Sequence, residues 1–178
     1  METFEFSIIA SGLDPQADDF ETRFFDAGCD DATVSFQKGR IIIDFMREAE
    51  SFQAAISSAI DNVIAAGATI DHVEPGELVS LNEIASRTGL SRAAVSHYAQ
   101  GKRGDEFPAP YEKVTSKQSL WRWPPVSKWL FKRSQVGKSV VIQAELVAYT
   151  NNQIRKGSLP SQENLEQEAA RCVAELCD

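Results

Sequence analysis

Ser91, Arg92, Ala93, Ser96, His97 and Gln100 recur at intervals that put them on one side of a short helix, with Val95 and Tyr98 on the other. Small and hydrogen-bonding groups on an exposed helical face match base edges in the groove of a duplex in size and donor character. Two roles are open to Arg92: its forked donors can match the O6 and N7 acceptors of guanine, or it can hold a phosphate. Gln100 has the amide that pairs with adenine, and His97 is either a contact to base or phosphate or a solvated surface imidazole. Lys102 and Arg103 follow directly, and Lys113, Lys117 and Arg122 lie on or near a predicted hairpin. Cations so placed grip phosphate, or simply solubilise the surface. The chemistry is recognition without bond making.

Other groups with chemical potential point nowhere else. Asp18-Asp19 and Asp30-Asp31 are adjacent carboxylates of the kind usually found solvated, and His72 has no partner visible in the sequence. Cys29, Cys172 and Cys177 are odd in number and scattered without a CxxC, which predicts free thiols rather than a disulfide framework or a zinc site. No phosphate-cradling Gly-rich loop, nucleophile elbow or metal triad is present. The expectation is a protein that is not an enzyme and holds no cofactor and no metal.

The elements that must position the helical face run from Ser80 to Gly101. Ser80 can cap a first helix while Glu83, three residues on, reaches back to the cap amide. Ile84 and Ala85 face inward, Gly89 turns the chain with positive φ, Leu90 fills the corner and Ser91 caps the second helix. Beyond it stand Phe107-Pro108-Ala109-Pro110, then Leu120-Trp121-Arg122, then Val126-Ser127-Lys128-Trp129-Leu130. In these residues, about a third of the chain, the sequence resembles the winged helix-turn-helix of the MerR-like, AlpA/excisionase-like proteins. It departs from that pattern in having Trp123-Pro124-Pro125 where an acidic residue often begins the last helix. The resemblance implies that the helix Ser91–Gln100 reads the major groove while the basic hairpin clamps phosphate, and that Trp121, Trp123 and Trp129 pin the hairpin to the helices rather than stack on bases.

Before this region, Phe4–Ala10 predicts a strand, and Asp14-Pro15 opens a helix carrying Phe20, Phe24 and Phe25 until Gly28. Ala32–Gln37 and Arg40–Phe45 form a hairpin about Lys38-Gly39. Ser51 caps a helix whose apolar positions recur until Gly67, and Thr69–Val73 is a last strand. The order β-α-β-β-α-β matches the ferredoxin-like plan of four antiparallel strands with both helices on one face. Glu74-Pro75-Gly76-Glu77 reads as a hinge. After residue 134, helices are expected over Ser139–Lys156 and from Leu159-Pro160-Ser161 onward, the second with Leu165, Ala169, Cys172, Val173 and Leu176 on one stripe.

The fold class expected is therefore α+β, in three parts: a ferredoxin-like domain over 1–77, a winged helix-turn-helix over 78–134 and a C-terminal helical pair over 135–178. The 178 residues, 43% hydrophobic and 25% charged, suit a soluble globular chain. No apolar run approaches the ~20 residues of a membrane span, and METFEF lacks the pattern of a signal peptide, so a cytoplasmic location is expected. A net charge of -8 taken as an average opposes a nucleic-acid partner, but it is unevenly spread: residues 1–77 carry -12 and residues 78–134 carry +6. Together these readings lead to a transcriptional regulator that binds double-stranded DNA as a homodimer, paired through the C-terminal stripe. An excisionase-like accessory protein that bends DNA, and an adaptor or antitoxin-type repressor, are the alternatives. The acidic domain would serve a protein partner or a small effector.

Overall fold

The computed structural model describes residues 1–177. The chain is α+β, with seven helices among the described residues and a four-stranded antiparallel sheet. It forms two compact units, one of residues 1–75 with 149–170, the other of residues 76–148 with 171–178.

In the first unit, β1 (Glu2–Ser11), β2 (Ala32–Gln37), β3 (Arg40–Ala49) and β4 (Thr69–Glu74) lie in the order β2-β3-β1-β4. Registers Phe6↔Phe45, Ile8↔Ile43 and Ala10↔Ile41 put the alternate apolar residues of the two central strands on one face. Helix α2 (Phe52–Ala65) covers that face, Phe52 lying 5.6 Å from Phe4 and 5.8 Å from Phe6 between ring centroids. Ser51 caps α2 as its sequence predicts. Lys38 and Gly39 take φ of 51° and 80°, the two positive values a tight hairpin turn between right-twisted strands requires.

Helix α1 (Phe20–Asp26) is shorter than expected. Asp14 accepts the Gln16 N–H with its side chain and the Ala17 N–H with its carbonyl, so Pro15 occupies a turn rather than the first position of a helix. With only seven residues, α1 buries Phe20 and Phe24, four apart, and leaves Phe25 65% exposed, contrary to its expected place on the apolar face.

The second unit starts with β5 (Leu78–Val79), paired antiparallel with β6 (Trp121–Arg122), a pairing between residues more than forty apart that the sequence did not disclose. Between them lie α3 (Leu81–Thr88) and α4 (Arg92–Ala99), and after them α5 (Trp123–Lys132). The prolines of α5 fall in its first turn, where a missing N–H costs no bond, so the helix starts at Trp123, where an acidic residue often begins it in the pattern the sequence resembles. Val79, Ile84, Val95, Tyr98, Trp121, Trp123, Val126, Trp129, Leu130 and Ala144 form one core. All three tryptophans are therefore structural.

Helices α6 (Lys138–Arg155) and α7 (Gln162–Glu175) do not stand apart as a third body, because each contributes residues to both units. Of the stripe expected to pair with a second copy, Leu165, Ala169 and Cys172 are buried within the single chain, while Val173 and Leu176 are half-buried. No helix among the described residues is long and apolar enough to cross a membrane.

Candidate nucleic-acid interface

The second unit builds its exposed face from the caps outward. Ser80 donates its backbone N–H to Glu83 Oε2 at 2.7 Å and accepts the Glu83 N–H at 3.3 Å, closing the expected box at the start of α3. Burial pulls the Glu83 carboxyl upward, but the Ser80 hydrogen bonds and the Arg87 charge outweigh it and hold the group below its usual value. Gly89, at φ +72°, ends α3, and Ser91 Oγ accepts the Ala94 N–H at 3.1 Å to start α4. Val95 and Tyr98 are buried, so Ser91, Arg92, Ala93, His97 and Gln100 are left exposed and Ser96 half-buried, which is the face expected. Gln100 donates to Ser96 Oγ at 2.8 Å.

The segment after α4 is held by its aromatic side. Phe107 lies among Tyr98, Trp121 and Trp129. Trp121 donates to the Pro108 carbonyl at 3.0 Å, and Trp129 and Arg133 both donate to the carbonyl of Asp105. Farther out, Glu112 and Leu120 bridge, and the loop between them projects Lys113 and Lys117 into solvent. Lys102 and Arg103 are exposed, with Arg103 above the Tyr98 ring at 6.0 Å, and Arg122 is stacked over Tyr111 at 5.6 Å.

Between the start of α3, the first residue of α4 and this loop lies a cleft of about 350 Å³. It brings Arg92 together with Lys113 and Lys117, and adds Ser80, expected only as a helix cap, with Asn82, Gln118 and Ser119, which the sequence did not mark. Lys102, Arg103 and Arg122, and the remainder of the α4 face, do not line it. The capping box was the available signal for Ser80 and Asn82, since a capped N-terminus still offers N–H groups and the positive end of a helix dipole. Three cations around one concavity form an environment for an anion, while the Glu83 carboxylate already offsets the positive end of α3.

Elsewhere one acid of each adjacent pair is engaged in structure, while Asp18 and Asp30 are exposed. Asp19 pairs with Arg23 at 2.7 Å, Asp31 with Arg47 at 2.8 Å, and His72 Nε2 lies 3.1 Å from Glu74 Oε1. Among the described residues, no group of three or more His, Cys, Asp or Glu side chains is placed to hold a metal ion. Cys29 and Cys172 are buried free thiols and Cys177 an exposed one; burial pushes the Cys29 thiol up to about 11. Comparison of the chain with family models, curated proteins and solved structures finds no match.

Proposed function

We propose that this chain is a sequence-specific duplex DNA-binding protein that acts as a transcriptional regulator. The observation that carries the reading is the cleft in which Arg92, Lys113 and Lys117 meet the start of α3, beside the exposed face of α4. The strand order β2-β3-β1-β4 is consistent with a ferredoxin-like first unit. The succession α3, Gly89 turn, α4, basic loop, β6 and α5 supports a winged helix-turn-helix of the MerR-like, AlpA/excisionase-like kind. On this reading the cleft takes a backbone phosphate, which assigns Arg92 to phosphate rather than to guanine. Base edges are left to Ala93, Ser96, His97 and Gln100, while Lys102, Arg103 and Arg122 flank them. Two copies on an inverted repeat would double a contact set too small for selectivity alone, and such a protein works in the cytoplasm beside the genome.

Selection of bound fragments from random duplex DNA tests this directly. An enriched inverted repeat is expected, and no retention of any duplex at low salt would reject the reading. On the selected site, Arg92→Ala and Lys117→Ala should weaken cognate and random DNA alike, each flattening the salt slope by about one unit. Gln100→Ala should cost roughly 1–3 kcal/mol on the cognate site only. A selective loss in Arg92→Ala would return that residue to base reading.

A further inference from the structure

The two edges of the four-stranded sheet are treated differently. On β4 the side chain of Asn151, from α6 and within the same unit, accepts the Val73 N–H at 2.7 Å and donates to the Val73 carbonyl at 2.9 Å. One amide thus occupies the place of a neighbouring strand, and Asp71 and Glu74 add charge to that edge. β2 is the other edge, and among the described residues no side chain takes the place of a neighbouring strand along it. Its sequence, ATVSFQ, holds no charge and no proline, although edge strands are ordinarily blunted by these. In a unit with eighteen Asp and Glu against six Lys and Arg, an uncharged six-residue edge is out of character.

The register makes the edge usable. Gln37↔Arg40 closes the hairpin and Ser35↔Ile42 and Thr33↔Asp44 continue it, so these residues bond inward to β3. The N–H and C=O groups of Val34 and Phe36 then face outward, and their side chains share a face with Phe45 and Ile43. Beside them α1 and β2 enclose a cleft of about 550 Å³ lined by Phe25, Cys29, Ala32 and Val34. Phe25 is 65% and Phe36 44% exposed. At its rim stands Glu21, with Asp26 and Asp30 exposed in the same stretch of chain.

We propose that the β2 edge and the α1–β2 cleft form a docking site for an extended, basic segment of another protein. The segment adds as a fifth strand along Val34–Phe36. It places alternate apolar side chains against Phe25 and the cleft floor, and the lysines or arginines between them fall on the opposite face of the sheet, where Asp44 of β3 stands across from Thr33. Charge selects this occupant over a second copy of the chain, since each copy would bring a first unit of net charge -12. The inference stands independently of DNA binding.

The test uses the full-length chain and an acetylated, amidated nine-residue peptide in which Lys alternates with Val. A peptide of the same composition, with its lysines gathered at one end, is the control. Calorimetry at about 0.15 M salt keeps long-range attraction screened. One-to-one binding at least ten-fold tighter than the control is expected, with a ten-fold or greater loss in Val34→Pro. That substitution removes an outward N–H and leaves the ladder to β3 intact. If Val34→Pro melts early, Phe25→Lys replaces it, because the exposed position tolerates the change while the added charge repels the peptide. Equal binding of the two peptides, undiminished binding to the variants, or no binding overturns the proposal. So does a dimer of the unliganded chain that Val34→Pro dissolves, which would make the occupant a second copy.

Discussion

Arg47 shows how much a single residue of this chain organises. It is 7% exposed, and its guanidinium directs two N–H groups at the Asp31 carboxylate, one at the Gly28 carbonyl, one at Ser58 Oγ and one at Asn62 Oδ1, so all five donors are used. The strand expected to end at Phe45 runs on to Ala49, which carries Arg47 onto the same face as Phe45 and under α2. The hydrogen bonds from Arg47 outweigh partial burial and hold the Asp31 carboxyl below the usual carboxylate range. Because the folded value lies below the unfolded one, this stabilisation is complete above about pH 4 and is lost as pH falls through the folded value. Asp31→Asn should therefore flatten the acid limb of a melting-temperature profile. Arg47→Ala should cost about 3–5 kcal/mol by urea unfolding, since it leaves a partly buried carboxylate without its partner. A wild-type acid limb in Asp31→Asn would show that the pair contributes nothing to acid stability.

At the scale of the element, the loop that carries Lys113 and Lys117 depends on how its root is fixed. Gly104, at φ +76°, lies so close to Trp129 that an added Cβ would stand 2.9 Å from one ring carbon and 3.0 Å from another. Trp129 cannot yield, because its N–H is bonded to Asp105 at 2.9 Å and Arg133 stacks 3.8 Å above its ring. Gly104→Ala combines strain at positive φ with overpacking and should cost about 1–3 kcal/mol. Because the loop root moves while every cation is kept, duplex affinity should fall even where the protein is fully folded. Folding midpoints and binding isotherms of the same preparation separate the two effects, and an unchanged affinity would mean that the root does not position the loop.

For the whole molecule, the decisive feature is that charge is divided along the chain. The first unit carries six Lys and Arg against eighteen Asp and Glu, and the second twelve against eight. The acidic charge of the first should oppose association of the second with a polyanion, and this long-range term is felt only when the Debye length is large. Cutting the chain at residue 77 does not test this, because residues 149–170 belong with residues 1–75 and Asn151 would lose Val73. Neutralising exposed carboxylates in the intact chain does: Glu48→Gln, Glu50→Gln and Asp61→Asn together should tighten binding to random duplex several-fold at about 0.01 M salt and change it little near 0.15 M. Equal affinity of variant and wild type at low salt would mean that the acidic unit exerts no such field.

What the sequence determined by itself was local. The hairpin at Lys38-Gly39, the capping box of Ser80 and Glu83, the Gly89 turn and the exposed face of α4 rest on residues no more than a few positions apart, whose backbone preferences and caps act within one turn. The α+β class followed from the same periodicities, and the basic region from counting charges. Tertiary structure alone decided what depends on residues distant in the chain. It exposed Phe25 by shortening α1, and enclosed Arg47 with partners from Gly28 to Asn62. It paired β5 with β6, brought Arg92 to Lys113 and Lys117, and divided α6 and α7 between two units. No short-range preference encodes these outcomes, because each is settled by which apolar faces and hydrogen-bonding groups the rest of the folded chain leaves free.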